Sequence, residues 1–352
     1  MNTRERLLKR LGIAYPIIQA PMAGVSTPEL AASVTNSGGM GSLGIGASTP
    51  AQARSMIEQT QALTSGSFNV NVFCHQPAQR NAAIEENWVR YLAPLFAEAG
   101  IEPPDTLSEI YTSFVGDNET LDLLLELKPA VVSFHFGTPS ADCIDALKRA
   151  GIYTMATATS PAEAAKIEAA GIDAIVAQGI EAGGHRGTFN PDATDESLST
   201  LALVRLLLQQ TTLPIIAAGG IMDGFAMKAA LASGAAAVQL GTAFVLCPES
   251  AANEGYRVAL KSERAAETRL TKVLSGRPAR GIVNRLISFG EAKDSPPPAD
   301  YPVAYDAAKR LNGAASMLGN HEFAAHWAGQ GAPLARELPA ADLMALILAE
   351  SV

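Results

Sequence analysis

Short apolar runs alternate with helical patterns along most of this 352-residue chain. Each run is nearly continuous in apolar character, which is typical of strands that are buried on both faces of a parallel sheet. The pattern predicts eight such strands, at residues 17–20, 40–43, 68–73, 130–135, 152–156, 174–178, 214–218 and 236–240.

Helical segments lie between these strands. Several begin with Ser, Thr or Asp followed by a proline or an acid, and many end in glycine, as at Gly38 and Gly151. Eight strands with intervening helices predict an α/β fold of the TIM (β/α)₈ barrel type. A doubly wound open sheet is the alternative, but no GxGxxG motif follows the first strand.

Two stretches depart from the alternation. Residues 75–118 form an insertion after the third strand, with Trp88 and Tyr91 on an expected helix, and residues 248–310 form a polar block after the eighth strand. The final segment, 339–350, has the pattern of a closing amphipathic helix.

Charge and cysteine content exclude several classes of protein. The net charge is −9 and no basic run occurs, which argues against a nucleic-acid partner or an anionic membrane surface. Three scattered cysteines and an N-terminus without an apolar signal core predict a cytoplasmic protein with reduced thiols. The uncharged stretch 229–247 predicts a helix end, a turn and a buried strand rather than a membrane span.

Reactive groups of such barrels lie where the strands end at their carboxyl side. The third strand places Asn69, Asn71 and Phe73 on one face, and the fourth strand ends at His135. A histidine at that position suits acid–base work or the stabilisation of an anion, although a buried core role is the alternative. Asn71 likewise has a structural alternative, since a buried amide needs a partner of some kind.

Glycine-rich loops follow the last three strands. Gln178 precedes a loop that carries the basic pair His185 and Arg186, which suits an anionic group or a flexible surface loop. Gly219–Gly220 and Gly241 each stand just past a strand, in the usual phosphate site of this fold, where loop amides and a helix N-terminus meet the ligand. A phosphate-bearing ligand is therefore expected. No metal site is expected, since His321 and His326 are poorly spaced for one helical face.

Several segments together resemble the class I nitronate monooxygenases, a family also called 2-nitropropane dioxygenases. The resemblance covers nearly the whole chain. It rests on residues 19–44, 69–73, 133–139 (SFHFGTP), 181–187 (EAGGHRG), 217–221, 239–242 and 301–309 (YPVAYDAAK).

The resemblance implies a barrel of residues 1–247 and 311–352 that binds FMN without a covalent bond. Residues 248–310 would form a smaller, α-rich substrate domain or lid. His135 would face the flavin as the catalytic residue, and Tyr301, Tyr305 and Lys309 would line the substrate side. The positions implied for FMN binding are the Met22 backbone, Asn71, Gln178, Gly183, Gly220, Gln239, Gly241 and Thr242.

The family's reaction is the oxidation of an alkyl nitronate, such as propionate 3-nitronate, by O₂ through a flavin semiquinone, to a carbonyl compound with nitrite or nitrate. Either a protonated or hydrogen-bonding His135 stabilises the nitronate, or a neutral His135 deprotonates a nitroalkane. Two alternatives stay open. One is an NAD(P)H-dependent flavin reductase, acting on a quinone or an enoyl-ACP, and the other is a non-catalytic barrel that binds FMN or a phosphosugar.

Overall fold

Eight parallel strands form a barrel in the computed structural model, which describes residues 1–352. A separate three-stranded sheet contains β7 (Gly184–His185), β10 (Thr268–Thr271) and β11 (Ala279–Ile282). The barrel strands are β1 (Ile17–Gln19), β2 (Ser42–Gly44), β3 (Asn69–Phe73), β4 (Val131–His135), β5 (Tyr153–Ala158), β6 (Ala174–Gln178), β8 (Ile215–Ala218) and β9 (Ala237–Leu240).

The barrel closes between its first and last strands. β1 pairs in parallel with β9, and a single parallel bridge between Ile18 and Met40 joins β1 to the start of β2. All eight predicted strands are confirmed, with ends that differ by no more than two residues. The predicted TIM barrel is therefore confirmed as well.

Helices surround the barrel and begin where their capping residues predict. Thr27, Thr49 and Ser160 each accept a hydrogen bond from a backbone N–H in the first turn, and each precedes a proline. The helices are α1 (Thr3–Leu11), α2 (Pro28–Asn36), α3 (Pro50–Leu63), α4 (Ala82–Glu98), α5 (Asn118–Leu127), α6 (Ala141–Arg149), α7 (Pro161–Ala169), α8 (Thr200–Leu207), α9 (Gly224–Ala232), α10 (Glu254–Lys261), α11 (Arg285–Gly290), α12 (Val303–Met317) and α13 (Ala340–Glu350).

The uncharged stretch 229–247 contains the end of α9 and the buried strand β9, as predicted, and then a short 3₁₀ helix, Thr242–Phe244, which was not predicted. None of the helices combines the length and the apolar character that crossing a bilayer requires.

Apolar side chains seal one end of the barrel. Leu7 and Leu11 of α1 pack against inward-facing strand residues such as Met155, Val176 and Ile216. This layer fills the interior at the amino-terminal ends of the strands. Polar chemistry is consequently confined to the opposite end, where the strands lead into their long loops.

The two stretches that depart from the alternation pack on each other. Trp88 and Phe96 of α4 lie in one apolar cluster with Leu286 of α11 and Val303 of α12. Strand β11 also pairs with β7, which lies in the loop after β6. The insertion and the late block are thus built together over the carboxyl end of the barrel.

Gly41 leads into β2 at a point where the backbone of α2 comes close. A Cβ atom there would overlap the carbonyl oxygen of Ala31, which cannot move without shifting α2. We expect Gly41→Ala to lower the free energy of unfolding by about 1–3 kcal/mol, the usual cost of overpacking. Thermal denaturation followed by circular dichroism measures the loss.

Gly313→Ala is the matched control, since a Cβ at this position in α12 meets no atom within 4 Å. It should leave the melting temperature unchanged or raise it, because alanine favours a helix over glycine. Equal melting temperatures for the two variants would contradict the close approach at Gly41.

Candidate active site

One cavity of about 760 Å³ opens at the carboxyl ends of the barrel strands. Sites for cofactors and small ligands commonly measure about 300–1,000 Å³. All twelve site residues predicted from the sequence line it: Met22, Asn71, His135, Gln178, Gly183, Gly220, Gln239, Gly241, Thr242, Tyr301, Tyr305 and Lys309.

Glycine loops form one end of this cavity. Gly219 and Gly220 have φ angles of 125° and 69°, which favour glycine. The backbone N–H groups of Gly219, Gly220 and Gly241 donate to no acceptor in the protein. These free donors at close-packed loops make a suitable cradle for a phosphate.

A further glycine loop joins this end, and sequence reasoning missed it. A Cβ at Gly183 would lie 2.5 Å from the backbone nitrogen of Gly329, whose N–H donates to Thr242 Oγ1 at 3.0 Å. Gly331 also lines the cavity. The loop 329–331 follows no barrel strand, so the rule that strand ends carry the site gave no signal for it.

The amino end of α9 does not serve as the helix N-terminus expected at the phosphate site. The first turn of α9 is capped by Asp223, and the N–H of Gly224 donates to Glu350 Oε2 at 3.0 Å. The amino end of α9 therefore docks on α13, outside the cavity. Loop amides and the amino end of the short 3₁₀ helix Thr242–Phe244, which no side chain caps, remain to hold an anion.

Two of the predicted cofactor contacts are already hydrogen-bonded within the protein. The Met22 N–H donates to Ser26 Oγ at 2.9 Å. Gln178 Nε2 donates to the His185 carbonyl at 3.0 Å, and Gln178 Oε1 accepts from the Gly187 N–H at 2.8 Å. Gln178 therefore folds the following loop as well as lining the cavity.

Asn71 and Gln239 keep polar atoms free. Asn71 Nδ2 donates to the carbonyl and the hydroxyl oxygen of Ser133, at 3.1 and 2.9 Å, while its Oδ1 has no donor within the protein. The Gln239 side chain makes no hydrogen bond within the protein, although it lines the cavity. Both amides are available to a ligand.

His135 is held in one orientation by both ring nitrogens. Nε2 lies 3.1 Å from the His185 carbonyl oxygen, and Nδ1 lies 3.0 Å from Thr157 Oγ1. Because a carbonyl can only accept, Nε2 carries the hydrogen and Nδ1 accepts from the Thr157 hydroxyl. Burial lowers the pKa of His135 to about 4, so the ring is neutral near pH 7.

His185 is a second cavity histidine that the strand-end rule did not select. Its Nε2 lies 2.9 Å from Ser275 Oγ, in the late block, and burial lowers its pKa to about 3. The sequence predicts that His185 and Arg186 act as a basic pair, but only His185 lines the cavity. The Arg186 guanidinium is buried and pairs with Asp195 at 2.7 Å, so its expected part in anion binding is wrong.

Phenols and one ammonium group line the side of the cavity nearest the late block. Lys309 Nζ lies 4.9 Å from the ring centre of Tyr111 and 5.4 Å from that of Tyr305. Tyr301 is buried, with its ring edge against His185. Burial raises the pKa of all three phenols, which therefore stay protonated donors. The sequence does not predict Tyr111 as a site residue, because it lies in the insertion and not at the end of a barrel strand.

The charge of the lining is opposite to that of the whole protein. No Asp or Glu lines the cavity, and Lys309 is its one side chain with a fixed charge. No group of three or more His, Cys, Asp or Glu side chains lies close enough to hold a metal ion. The arrangement favours an organic anion at one end and a phosphate at the other.

Known proteins match the chain over almost all of its length. The sequence model of the family described as "Nitronate monooxygenase" matches residues 4–350. A nitronate monooxygenase of Paraburkholderia phytofirmans is 59% identical over 342 residues, covering 97% of this chain and 93% of that protein. One from Pseudomonas aeruginosa is 57% identical, covering 98% and 99%.

Solved structures agree with these sequence matches. The nitroalkane oxidase from Streptomyces ansochromogenes superposes with a TM-score of 0.90 at 40% identity, covering 98% of this chain and 97% of that one. FabK from Thermotoga maritima gives a TM-score of 0.74 at 28% identity, covering 100% and 96%. With a family match from residue 4 to residue 350, this chain belongs to the nitronate monooxygenase family of oxidoreductases.

Proposed function

We propose that the protein uses FMN to oxidise alkyl nitronates of the propionate 3-nitronate type with O₂, giving a carbonyl compound and nitrite or nitrate. The observation that carries this proposal is the charge of the cavity. Although the net charge of the chain is −9, no carboxylate lines the cavity, and Lys309 is its one lysine or arginine. A cavity lined in this way favours an anionic substrate, even though the protein as a whole is acidic.

The residues of the cavity fit FMN. Free N–H groups at Gly219, Gly220 and Gly241 suit its phosphate, and the amides of Asn71 and Gln239 suit the polar edge of a flavin. Gly183 and Thr242 would complete the phosphate cradle through the 329–331 loop, and Met22 and Gln178 would contribute packing around the ring system. When bound, FMN supplies the electron transfer between nitronate and O₂.

Lys309 and the phenols would bind the substrate. The ammonium group beside Tyr111 and Tyr305 suits the carboxylate of a 3-nitropropionate skeleton. The protonated hydroxyl of Tyr301 has no partner in the protein and suits a nitronate oxygen. Residues 248–310, with the insertion packed behind them, would serve as the lid that excludes water.

His135 would act as a neutral, polar neighbour of the nitronate. Its Nε2–H already donates to the His185 carbonyl, and its low pKa disfavours an imidazolium. Both ring nitrogens are thus already used within the protein. A preformed nitronate would accept the Nε2–H in place of the His185 carbonyl, and a nitroalkane would give its proton to Nδ1 in place of the Thr157 hydroxyl. The low pKa makes the ring a weak base, which favours the first role, that of a neutral hydrogen-bond donor.

Oxygen uptake with propionate 3-nitronate tests the proposal directly. We expect a yellow protein whose flavin, released by acid, is FMN, and O₂ consumption that depends on the nitronate. Under anaerobic conditions NADH should leave the flavin oxidised. Rapid bleaching by NADH without nitronate oxidation would instead establish a flavin reductase, and inertness to both would leave a binding barrel.

His135→Asn should retain FMN and lose turnover by about 100-fold, the lower range for a group that assists directly in the reaction. Since the pKa of His135 is about 4, its neutral form predominates above about pH 5. The wild-type kcat/KM should therefore stay level from about pH 5 to 8 and fall as the ring is protonated below that. Steady-state oxygen uptake and the flavin content per chain measure both effects. Full turnover in the variant would remove His135 from the reaction.

Lys309→Met should raise KM for propionate 3-nitronate by about tenfold or more, because a charge-assisted hydrogen bond is worth about 1.5–3 kcal/mol. Propyl 1-nitronate, which lacks the carboxylate, should show little change. Lys293→Met, at an exposed lysine remote from the cavity lining, is the matched control. An equal rise in KM for both substrates would show that Lys309 does not read the carboxylate.

A further inference from the structure

Arg277 is a buried cation without a carboxylate partner. The residue is 3% exposed, it belongs to none of the ion pairs of the protein, and its Nε has no acceptor. Burial lowers its pKa to about 10, which leaves it charged near neutral pH. Buried charges are normally paired, because an uncompensated one is costly to desolvate. A lone guanidinium therefore points to a role beyond stability.

The guanidinium lies against the residue that follows His135. Its central carbon is 4.2 Å from the ring centre of Phe136, a cation–π contact. Phe136 is fully buried and has a φ of 75°, a strained conformation for a bulky side chain. The contact with Arg277 holds the Phe136 ring while the backbone turns His135 into the cavity.

The same residue also supports the second histidine. The Arg277 guanidinium donates to the Thr188 carbonyl, in the loop that carries His185. The Arg277 backbone N–H donates to Ser275 Oγ at 3.3 Å, and this hydroxyl lies 2.9 Å from His185 Nε2. Arg277 thus connects the end of β4, the loop after β6 and the late block.

We propose that Arg277 is a positioning residue just outside the cavity lining, which holds His135 through Phe136 and His185 through Ser275 and Thr188. Its uncompensated charge adds to burial in opposing protonation of both imidazoles and favours an anionic substrate over its neutral acid. The substrate part of this inference rests on the proposed function, whereas the effect on the two imidazoles does not. Arg277 acts through Phe136, Thr188 and the electric field, without touching the substrate.

The surroundings of His135 supply little else that could set its charge. Phe73 and Thr157 approach it from neighbouring strands, and neither is charged. Its pKa is lowered first by burial and then by Arg277 and Arg186, but Arg186 is neutralised by the Asp195 pair. No carboxylate contacts the ring.

The surroundings of His185 are similar. Aromatic rings of Phe136, Tyr301, Tyr305 and Trp327 surround it, and Ser275 is its one side-chain hydrogen-bond partner. Burial is again the first cause of its lowered pKa, followed by the imidazole of His135, by Arg277 and by His75.

Acidic groups near Arg277 act only from a distance. Asp300, Glu163 and Asp192 each stabilise its charge, but none forms an ion pair with it. Arg277 is thus the fixed positive charge common to both cavity histidines.

Histidine side-chain NMR on the FMN-loaded, full-length protein tests the proposal, since the chain has only five histidines. Arg277→Met removes the charge and keeps a long apolar side chain, and Arg277→Lys keeps the charge and loses the planar stack. The Met variant should raise the titration midpoints of His135 and His185, and the Lys variant should leave them close to wild type. His326 is the internal control, because Arg277 is not among the groups that shift its pKa.

Kinetics provide the second readout. The Met variant should lose about tenfold or more in kcat/KM for a nitronate, while inhibition by the neutral parent nitroalkane should change less, and Arg277→Lys should recover selectivity for the anion. Unchanged midpoints for both histidines in a folded, flavin-loaded Met variant would overturn the proposal. If Arg277→Met does not fold, Arg277→Gln replaces it with the same expected shifts. Shifted midpoints in a protein that does not oxidise nitronates would uphold the role of Arg277 and refute the proposed function.

Discussion

The side chain of Gln178 holds the loop on which the rest of the site depends. Its amide donates to the His185 carbonyl and accepts from the Gly187 N–H, so the loop turns back over the end of β6. That turn presents one carbonyl to His135 and places β7 where β11 can pair with it. Gln178, which is satisfied at both ends as buried amides must be, therefore orders the loop through which the barrel contacts the late block.

The chain is rich in acidic residues, yet none of them lines the cavity, because those near it are bound elsewhere. Carboxylates near the barrel rim are turned away from the cavity and bind backbone N–H groups or arginines. Glu163 accepts from Thr159 and Phe189, Glu181 from Thr200, and Glu350 from Gly224, while Asp195 pairs with Arg186. These carboxylates order the rim without adding negative charge to the cavity. Lys309 and the neutral phenols therefore set the charge of the cavity lining.

Sequence reasoning works well for this chain where a local rule applies. Continuous apolar runs located all eight strands, and the rule that strand ends carry chemistry selected His135 and Asn71. It fails where a distant partner decides. The amino end of α9 is taken by Glu350, 126 residues later, and Arg186 by Asp195 in the same loop. The glycine loop 329–331 had no local mark, because it belongs to the site through contacts with residues distant in the sequence, Gly183 and Thr242.

The seam of the barrel lies between its first and last strands, which has a consequence for how the protein is made. Residues 17–19 pair with residues 238–240, so β1 gains its partner on this side, β9, only after most of the chain has been synthesised. Pairings of such long sequence separation form slowly, because the entropy cost of closing the loop comes before the contacts that offset it. During translation the nascent barrel stays open along this edge. Its exposed apolar strands then need protection from aggregation until β9 leaves the ribosome.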